Sequence, residues 1–476
     1  MAEFLTPDIC VIGGGAGGLA VATQACAHGA SVIVVEPGPL GGDSLRTGAI
    51  PSKALVAAGR RAHYLRTAGP FGIANAEPNI NARAVFDHVH RVIEGAAPAM
   101  TPEHLHALGI DVLADEGRFL DRRTLAVGTR QVRARRFVIA TGSRPVVPDI
   151  AGLGDVPFFT SASIVDNPRK LTHLVIIGAG PIGAEMAQAF RRLGSEVTLV
   201  DHATPLADYD PELVEIALRQ LAEEGVAIHP ATEVTAVQQR SLGIGVVIRS
   251  AAGEAVLDAS HILVATGRVP SLDGLALDKA GIRRDAATGR LVLAPTLRTS
   301  NRRVYAVGDA VGGARHTHVA AHHADLVVRQ ALFGLPARFE PARLPIAVFT
   351  DPELAQIGLS EPAAARRGGG YRVLRLSLAE NDRARIERQA YGLVKLVVDP
   401  GGRLLGAGVV GPGAAELLSL FTLAIANRLS IRHFGSLLAP YPSLAEIVRQ
   451  LGEEAARSTP ANPWLARLLA LRRLLP

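Results

Sequence analysis

Apolar residues along the chain fall into two periods, and the opening segment shows both. Residues 8–36, DICVIGGGAGGLAVATQACAHGASVIVVE, read as an apolar strand, a glycine turn, a helix and a second apolar strand. Residues 173–201, HLVIIGAGPIGAEMAQAFRRLGSEVTLVD, repeat the plan. Gly13, Gly15 and Gly18 form GxGxxG in the first copy, and Gly178, Gly180 and Gly183 in the second. Glu36 and Asp201 close the second strand of each copy, both 18 residues after the third glycine. Glycines here permit a tight turn, close approach of backbone to a pyrophosphate, and close packing of helix on strand. The helix N-terminus favours the anion, and the terminal acid can bind ribose hydroxyls. One such motif is a weak signal, but two copies in the right strand–turn–helix context imply two bound dinucleotides. A third pattern lies near the end of the chain. Trp464, Leu468, Leu471 and Leu475 fall at helical spacing, with Arg467, Arg472 and Arg473 on other faces. It predicts an amphipathic helix that packs on a dimer surface or, as the alternative, makes weak contact with an anionic membrane through residues 460–476.

A chain of 476 residues predicts about three domains. Hydrophobic residues make up 48% and charged residues 20%, and no apolar run approaches the roughly 18 residues of a membrane span. The chain enters its first strand with no basic and long apolar leader before it, which predicts a cytoplasmic protein. The net charge of +6 is carried by arginine, since only Lys53, Lys170, Lys279 and Lys395 are lysines. The arginines are scattered among acids, which argues against a nucleic-acid partner. Cys10 and Cys26 are the only cysteines. Both sit in apolar patterns and read as small buried hydrophobes. The histidines of RHTHVAAHHAD at 315–325 do not read as a metal site, because His322 and His323 face apart on a helix and no cysteine completes a set. The stretch reads as lining or support for a cofactor.

Further segments point to one family: FVIATGSRP at 137–145, its echo ILVATGRVP at 262–270, VYAVGDAVG at 304–312 and IPSKAL at 50–55. With these, the chain resembles the pyridine nucleotide-disulphide oxidoreductases, which include dihydrolipoamide dehydrogenase, glutathione reductase and mercuric reductase. The resemblance runs from residue 8 to about 455. NDRARIE at 381–387 and APYPSLAEI at 439–447 resemble the mercuric reductase-like branch. The resemblance implies an α/β fold with two Rossmann-like dinucleotide-binding domains, one for FAD and one for NAD, plus a C-terminal α+β dimerisation domain. The FAD domain would comprise residues 1–151 and 273–337, the NAD(P) domain 152–272 and the dimerisation domain 338–457, with 458–476 as the tail. It further implies a homodimer whose active site is shared between subunits. Gly13, Gly15, Gly18 and Glu36 would hold the adenosine half of FAD, and Asp309 its ribityl and phosphate region. Thr141, Gly142 and Gly267, in the two ATG segments, are assigned to cofactor binding on the same ground. Lys53 and Glu185 would pair beside the flavin, where an ammonium near N5 and O4 stabilises the charge that develops as hydride arrives. THVA at 317–320 matches a segment that lies under the flavin.

Two departures stand out. The family carries two cysteines, with four residues between them, before PSK, and this chain has Ser44 and Ala49 there. Neither an alcohol nor a methyl group can form a disulphide or a thiolate beside the flavin. Natural loss and deliberate replacement both fit this pair, and the unlike residues favour natural loss. At the C-terminal motif the glutathione and lipoamide types place a histidine before Pro-Thr, whereas here Tyr441 precedes Pro442 and Ser443. Tyrosine, with an ordinary pKa of about 10, is a poor proton shuttle at neutral pH. Glu446 stands where the family has its partner carboxylate. The absence of active-site and C-terminal cysteines argues against mercury reduction. The leading expectation is therefore an NAD(P)H oxidoreductase that passes hydride to FAD and electrons directly to a non-disulphide small-molecule acceptor such as a quinone. Ser44 would be a hydrogen-bond donor there, and Tyr441 from the second subunit a wall. Asp201 would accept from a ribose 2′-hydroxyl and repel a 2′-phosphate, which favours NADH over NADPH. Three alternatives remain: a soluble transhydrogenase, a thiol or metal-ion reductase whose cysteines were replaced, and a redox-silent FAD-binding partner or sensor.

Overall fold

Alternation of side chains along a strand explains the first layer of the structure, a computed structural model that describes residues 4–457 and 463–473. Five parallel strands lie in the order Val304–Ala306, Arg136–Ile139, Ile9–Ile12, Val32–Val35, Ile110–Leu113. Ile9, Val11 and Val34 point to one face, where the helices Ala16–Ala27 and Thr317–Phe333 cover them with Leu19, Val21 and Val327. Cys10, Ile12, Ile33 and Val35 point to the other face, against Phe119, Leu125 and Phe137. A sheet covered on both faces needs continuous apolar strands, and the inner strands Ile9–Ile12 and Val32–Val35 are apolar throughout, while Asp111 stands on the edge strand and Arg136 at the start of its own. Burial pushes the Cys10 thiol far above its ordinary pKa, and Cys26 donates to the Leu108 carbonyl at 2.9 Å. Both behave as packing residues.

The second glycine segment builds a sheet of the same kind. Its parallel strands run in the order Phe159–Thr160, His261–Val264, His173–Ile177, Glu196–Val200, Val226–His229. An antiparallel sheet of Glu233–Gln239, Ile244–Ser250 and Gly253–Ala259 packs Val237, Val246 and Ile248 with Val175, Val200 and Val264. Both sheets belong to one compact unit, Met1–Leu206 with Leu221–Pro341.

The other unit joins Ala207–Gln220 to Ala342–Pro476. Its five strands are antiparallel, in the order Ile346–Val348, Glu353–Gly358, Leu404–Gly411, Leu393–Val398, Arg372–Ser377. The helices Ala414–Ala426 and Glu446–Arg457 supply Leu417, Phe421, Ile447 and Leu451 to its core. Lys395 is buried in this unit and is held by Asp210 at 2.9 Å, Glu212 at 2.7 Å and Glu361 at 2.6 Å.

Candidate functional site

The two glycine turns show which glycines the fold itself requires. A Cβ on Gly18 would stand 1.9 Å from the Gly13 carbonyl oxygen, and one on Gly183 would stand 1.9 Å from that of Gly178. These third glycines let each helix close on its own turn. Gly15 and Gly180 differ, because a Cβ there would meet only Gly42 Cα at 3.8 Å in one case and nothing within 4 Å in the other. Each stands as the N-cap of a 12-residue helix, Ala16–Ala27 and Pro181–Arg192. Free amides facing an open cradle suit a pyrophosphate.

The terminal acids brace those turns. Glu36 accepts from the Gly14 amide at 2.7 Å and the Gly38 amide at 2.9 Å. Asp201 accepts from the Ala179 amide at 2.6 Å and the Ala203 amide at 2.8 Å. No residue pattern encodes these backbone contacts. A carboxylate offers about four acceptor positions, so two bonds leave room for ribose hydroxyls.

At the carboxyl end of the first sheet, Ser143 donates to Asp309 at 2.5 Å. Arg268 holds Ser143 through Nε to its hydroxyl and Nη2 to its carbonyl, both 2.8 Å, and lies 3.3 Å from Asp43. Burial raises the Asp309 pKa, with the Ser143 bond opposing it. Among the described residues, Thr141 Oγ1 and Arg315 Nε are buried there without a hydrogen-bond partner, and beyond its chain neighbours no heavy atom lies within 4 Å of the Cβ position of Gly142. Orphaned polar atoms beside an open glycine mark a place shaped for a polar ligand. With the Gly15 cradle, these residues fit a bound FAD. Gly267 is open in the same sense.

Lys53 lies on the helix Ala49–Arg66, and Glu185 on Pro181–Arg192. Gly59 brings the helices together, its Cβ position being 3.1 Å from the Ala189 carbonyl oxygen. Lys53 and Glu185 then form an ion pair, with side chains 36% and 5% exposed. Ser44 Oγ lies 2.7 Å from Thr317 Oγ1, a partner the sequence did not reveal. Ala49 is exposed.

The histidines serve the same region. Gly308 donates to His323 Nδ1 at 3.1 Å, which fixes the turn that carries Asp309. The His323 ring stands perpendicular to Phe339, 4.3 Å between centroids. His316 stacks on His318 at 5.2 Å. Burial, with the neighbouring His322 in one case and His318 and Lys53 in the other, pushes His323 and His316 down to about 4. Among the described residues no group of three or more His, Cys, Asp or Glu side chains is placed to hold a metal ion.

His323 predicts an acid-sensitive fold. Its folded pKa lies below the ordinary 6.5, so the unfolded chain takes up the proton first. The stabilisation is complete above the ordinary pKa and is lost as pH falls from 6.5 toward 4, at about 1.4 kcal/mol per pH unit. Urea midpoints measured across that range should fall with pH, and less steeply in His323→Gln.

In the other unit, Tyr441 is 70% exposed and donates to Asp382 Oδ2 at 3.0 Å, which raises the phenol pKa. Asn381 Nδ2 donates to the Ser443 carbonyl at 3.0 Å. The NDRARIE and APYPSLAEI segments thus meet, and Asp382 is the neighbour of Tyr441 that sequence reasoning missed. Glu446 pairs with Arg449 at 3.0 Å. In the tail, Trp464, Leu468 and Leu471 are exposed on the helix Pro463–Arg472, while Leu475 lies outside the described residues. Among those described, no helix is long and apolar enough to cross a membrane.

Comparison with known proteins agrees with this geometry. The family model of the pyridine nucleotide-disulphide oxidoreductases matches residues 7–324, and the model of their dimerisation domain matches residues 344–451. The mercuric reductase of Streptomyces lividans is 34% identical over 449 residues, 93% of this chain and 94% of that protein. The dihydrolipoyl dehydrogenase of Thermus scotoductus is 32% identical over 464 residues, 94% of this chain and 97% of that protein. Among solved structures, LpdA from Mycobacterium tuberculosis is similar with a TM-score of 0.86 and 25% identity, over 95% of this chain and 100% of that one.

Proposed function

The chain belongs to the pyridine nucleotide-disulphide oxidoreductase family, which uses FAD and NAD(P)H, and from that premise we propose that it delivers electrons from NADH through FAD straight to a non-disulphide acceptor such as a quinone. The observation that carries this reading is the pair of open glycine turns and the Lys53–Glu185 ion pair in a chain that has Ser44 and Ala49 where the family carries its cysteines. FAD, when bound, supplies the two-electron carrier between nicotinamide and acceptor. The residues of this chain bind and polarise.

Gly13, Gly15 and Gly18 with the amides of Ala16–Ala27 cradle the FAD pyrophosphate, and Glu36 takes ribose hydroxyls on its free lone pairs. Asp309, oriented by Ser143, meets the ribityl chain beside Thr141 and Gly142. Gly178, Gly180 and Gly183 do the same for the nicotinamide dinucleotide, with Gly267 giving its backbone room. Lys53, its ammonium held by Glu185, places positive charge where negative charge develops. Ser44 donates a hydrogen bond to an acceptor oxygen. Two copies of the chain form a dimer, with Tyr441 and Glu446 of the second copy at the mouth of the site.

Because no thiol takes part, protein treated with iodoacetamide should reduce a quinone with NADH as fast as untreated protein. Loss of activity on alkylation would overturn the direct route. Asp201 sets the nicotinamide preference, and Asp201→Ser should reduce the ratio of kcat/KM for NADH over NADPH by about tenfold, the loss of one carboxylate–2′-phosphate repulsion of roughly 1.4 kcal/mol. An unchanged ratio would remove Asp201 from the specificity site.

A further inference from the structure

Two stretches far apart in sequence carry the positive charge of this protein. Residues 115–136 and 278–303 hold fourteen basic and five acidic residues, against a net charge of +6 for all 476. The remainder of the chain is net negative.

The fold brings part of each stretch together at the turn around Asn301, whereas Arg290 packs against Gly312 at the opposite, carboxyl end of the sheet. Asn301 Nδ2 donates to the carbonyls of Arg122 at 3.0 Å and Ala280 at 2.9 Å. Arg283 donates its amide to Ser300 Oγ at 2.8 Å, and Phe137 donates its amide to the Arg303 carbonyl at 2.9 Å. The strands Arg136–Ile139 and Val304–Ala306 both start here and run parallel. This is therefore the sheet edge opposite the glycine turn. Arg122 and Arg283 flank a cleft of about 520 Å³. Arg123, Arg283 and Arg302 are exposed, and among the described residues no hydrogen bond or ion pair engages their guanidinium groups. Of the acids nearby, Asp278 lines the cleft, Asp121 accepts from the Arg123 and Thr124 amides, Asp285 accepts from the Thr288 amide and hydroxyl, and Asp8 is paired with Arg135.

Exposed apolar side chains interleave with the arginines. Phe4 is 51% exposed, Leu120 42% and Val292 39%. Arg133 lies 4.6 Å over the Phe4 ring, Leu120 stands between Arg118 and Arg122 in sequence, and Val292 donates its amide to the Arg283 carbonyl.

We propose that this pole is a docking surface for the anionic headgroups of a phospholipid bilayer. Guanidinium forks match phosphate oxygens. Charge alone would serve a nucleic acid equally well, but exposed apolar side chains among the cations gain most at a lipid boundary, where they enter the headgroup layer. Docked this way, the edge that carries the glycine turn faces away from the lipid, so the dinucleotide crevice stays open to solvent.

Holoprotein sedimented with vesicles tests this surface. The wild type should bind vesicles containing phosphatidylglycerol at low salt, and should release from them at high salt and from pure phosphatidylcholine. The variant Arg123→Glu/Arg283→Glu/Arg302→Glu should bind the anionic vesicles at least about a hundredfold more weakly, since each arginine near such a surface adds its own attraction. Flavin reduction by NADH at the wild-type rate would show that the variant is folded. Equal binding to both vesicle types, no binding to either, or wild-type binding by the variant would overturn the proposal. So would loss of binding only on removal of residues 458–476, which would assign docking to the tail, or capture by duplex DNA but not by anionic vesicles.

Discussion

Replacing Lys53 by methionine is expected to leave a folded, FAD-loaded protein in which NADH reduces the flavin about 10²–10³-fold more slowly, the usual loss when one preorganised charge-stabilising group is removed. The expectation rests on geometry. Lys53 is one-third exposed while its partner Glu185 is nearly enclosed, so a buried carboxylate anchors the ammonium, which also donates to Ser52 Oγ at 3.3 Å. Methionine keeps the length of the chain and deletes the charge. Glu185→Gln retains the ammonium and loosens its anchor, and should slow reduction by only about tenfold. Stopped-flow absorbance of the flavin reads both variants. If Lys53 served only to join two helices, Lys53→Met would lower the unfolding midpoint and leave the rate of flavin reduction unchanged.

Lys395→Met should cost the second unit about 3–5 kcal/mol of stability, the typical penalty for removing one partner of a buried ionic cluster. Lys395 and Asp210 have side chains only 4% and 3% exposed. Among the described residues no other cation pairs directly with the Asp210 carboxylate, which also receives the amides of Glu212 and Glu361, and Arg375 acts on it from a longer range. Glu212 and Glu361 fare better, because Arg375 also pairs with both. Asp210 therefore bears most of the loss. Adding Asp210→Leu to Lys395→Met should recover much of it, since an apolar pair of similar volume removes the stranded charge. Urea denaturation followed by circular dichroism measures each variant. An unchanged midpoint in Lys395→Met would show that water reaches the cluster and screens it.

What was legible in the sequence was what local chemistry dictates. Gly18 and Gly183 are glycines because a methyl group there would strike the carbonyl of the turn, a constraint that any chain folding this way must write into its sequence. Apolar strands of a sheet covered on both faces are equally explicit. That Ser44 and Ala49 stand where the family carries cysteines came from the family resemblance rather than from local chemistry. Contacts between distant segments were not legible. Ser44 meets Thr317 across 273 residues and Tyr441 meets Asp382 across 59, and no periodicity encodes either pairing. The His323 bond to Gly308 and the grip of Arg268 on Ser143 depend in the same way on how elements stack. The basic pole was invisible for that reason too, since its two arms look like ordinary mixed-charge surface until the turn at Asn301 joins them.

The most direct test of the central claim is an anaerobic titration of the purified protein with NADH, followed through the flavin absorbance and ended by adding a quinone. Direct transfer predicts full bleaching by one equivalent of NADH, no long-wavelength thiolate band, and rapid return of the oxidised spectrum with the quinone. A flavin that NADH does not bleach, or one that bleaches and then stays reduced in the presence of the quinone, would contradict it.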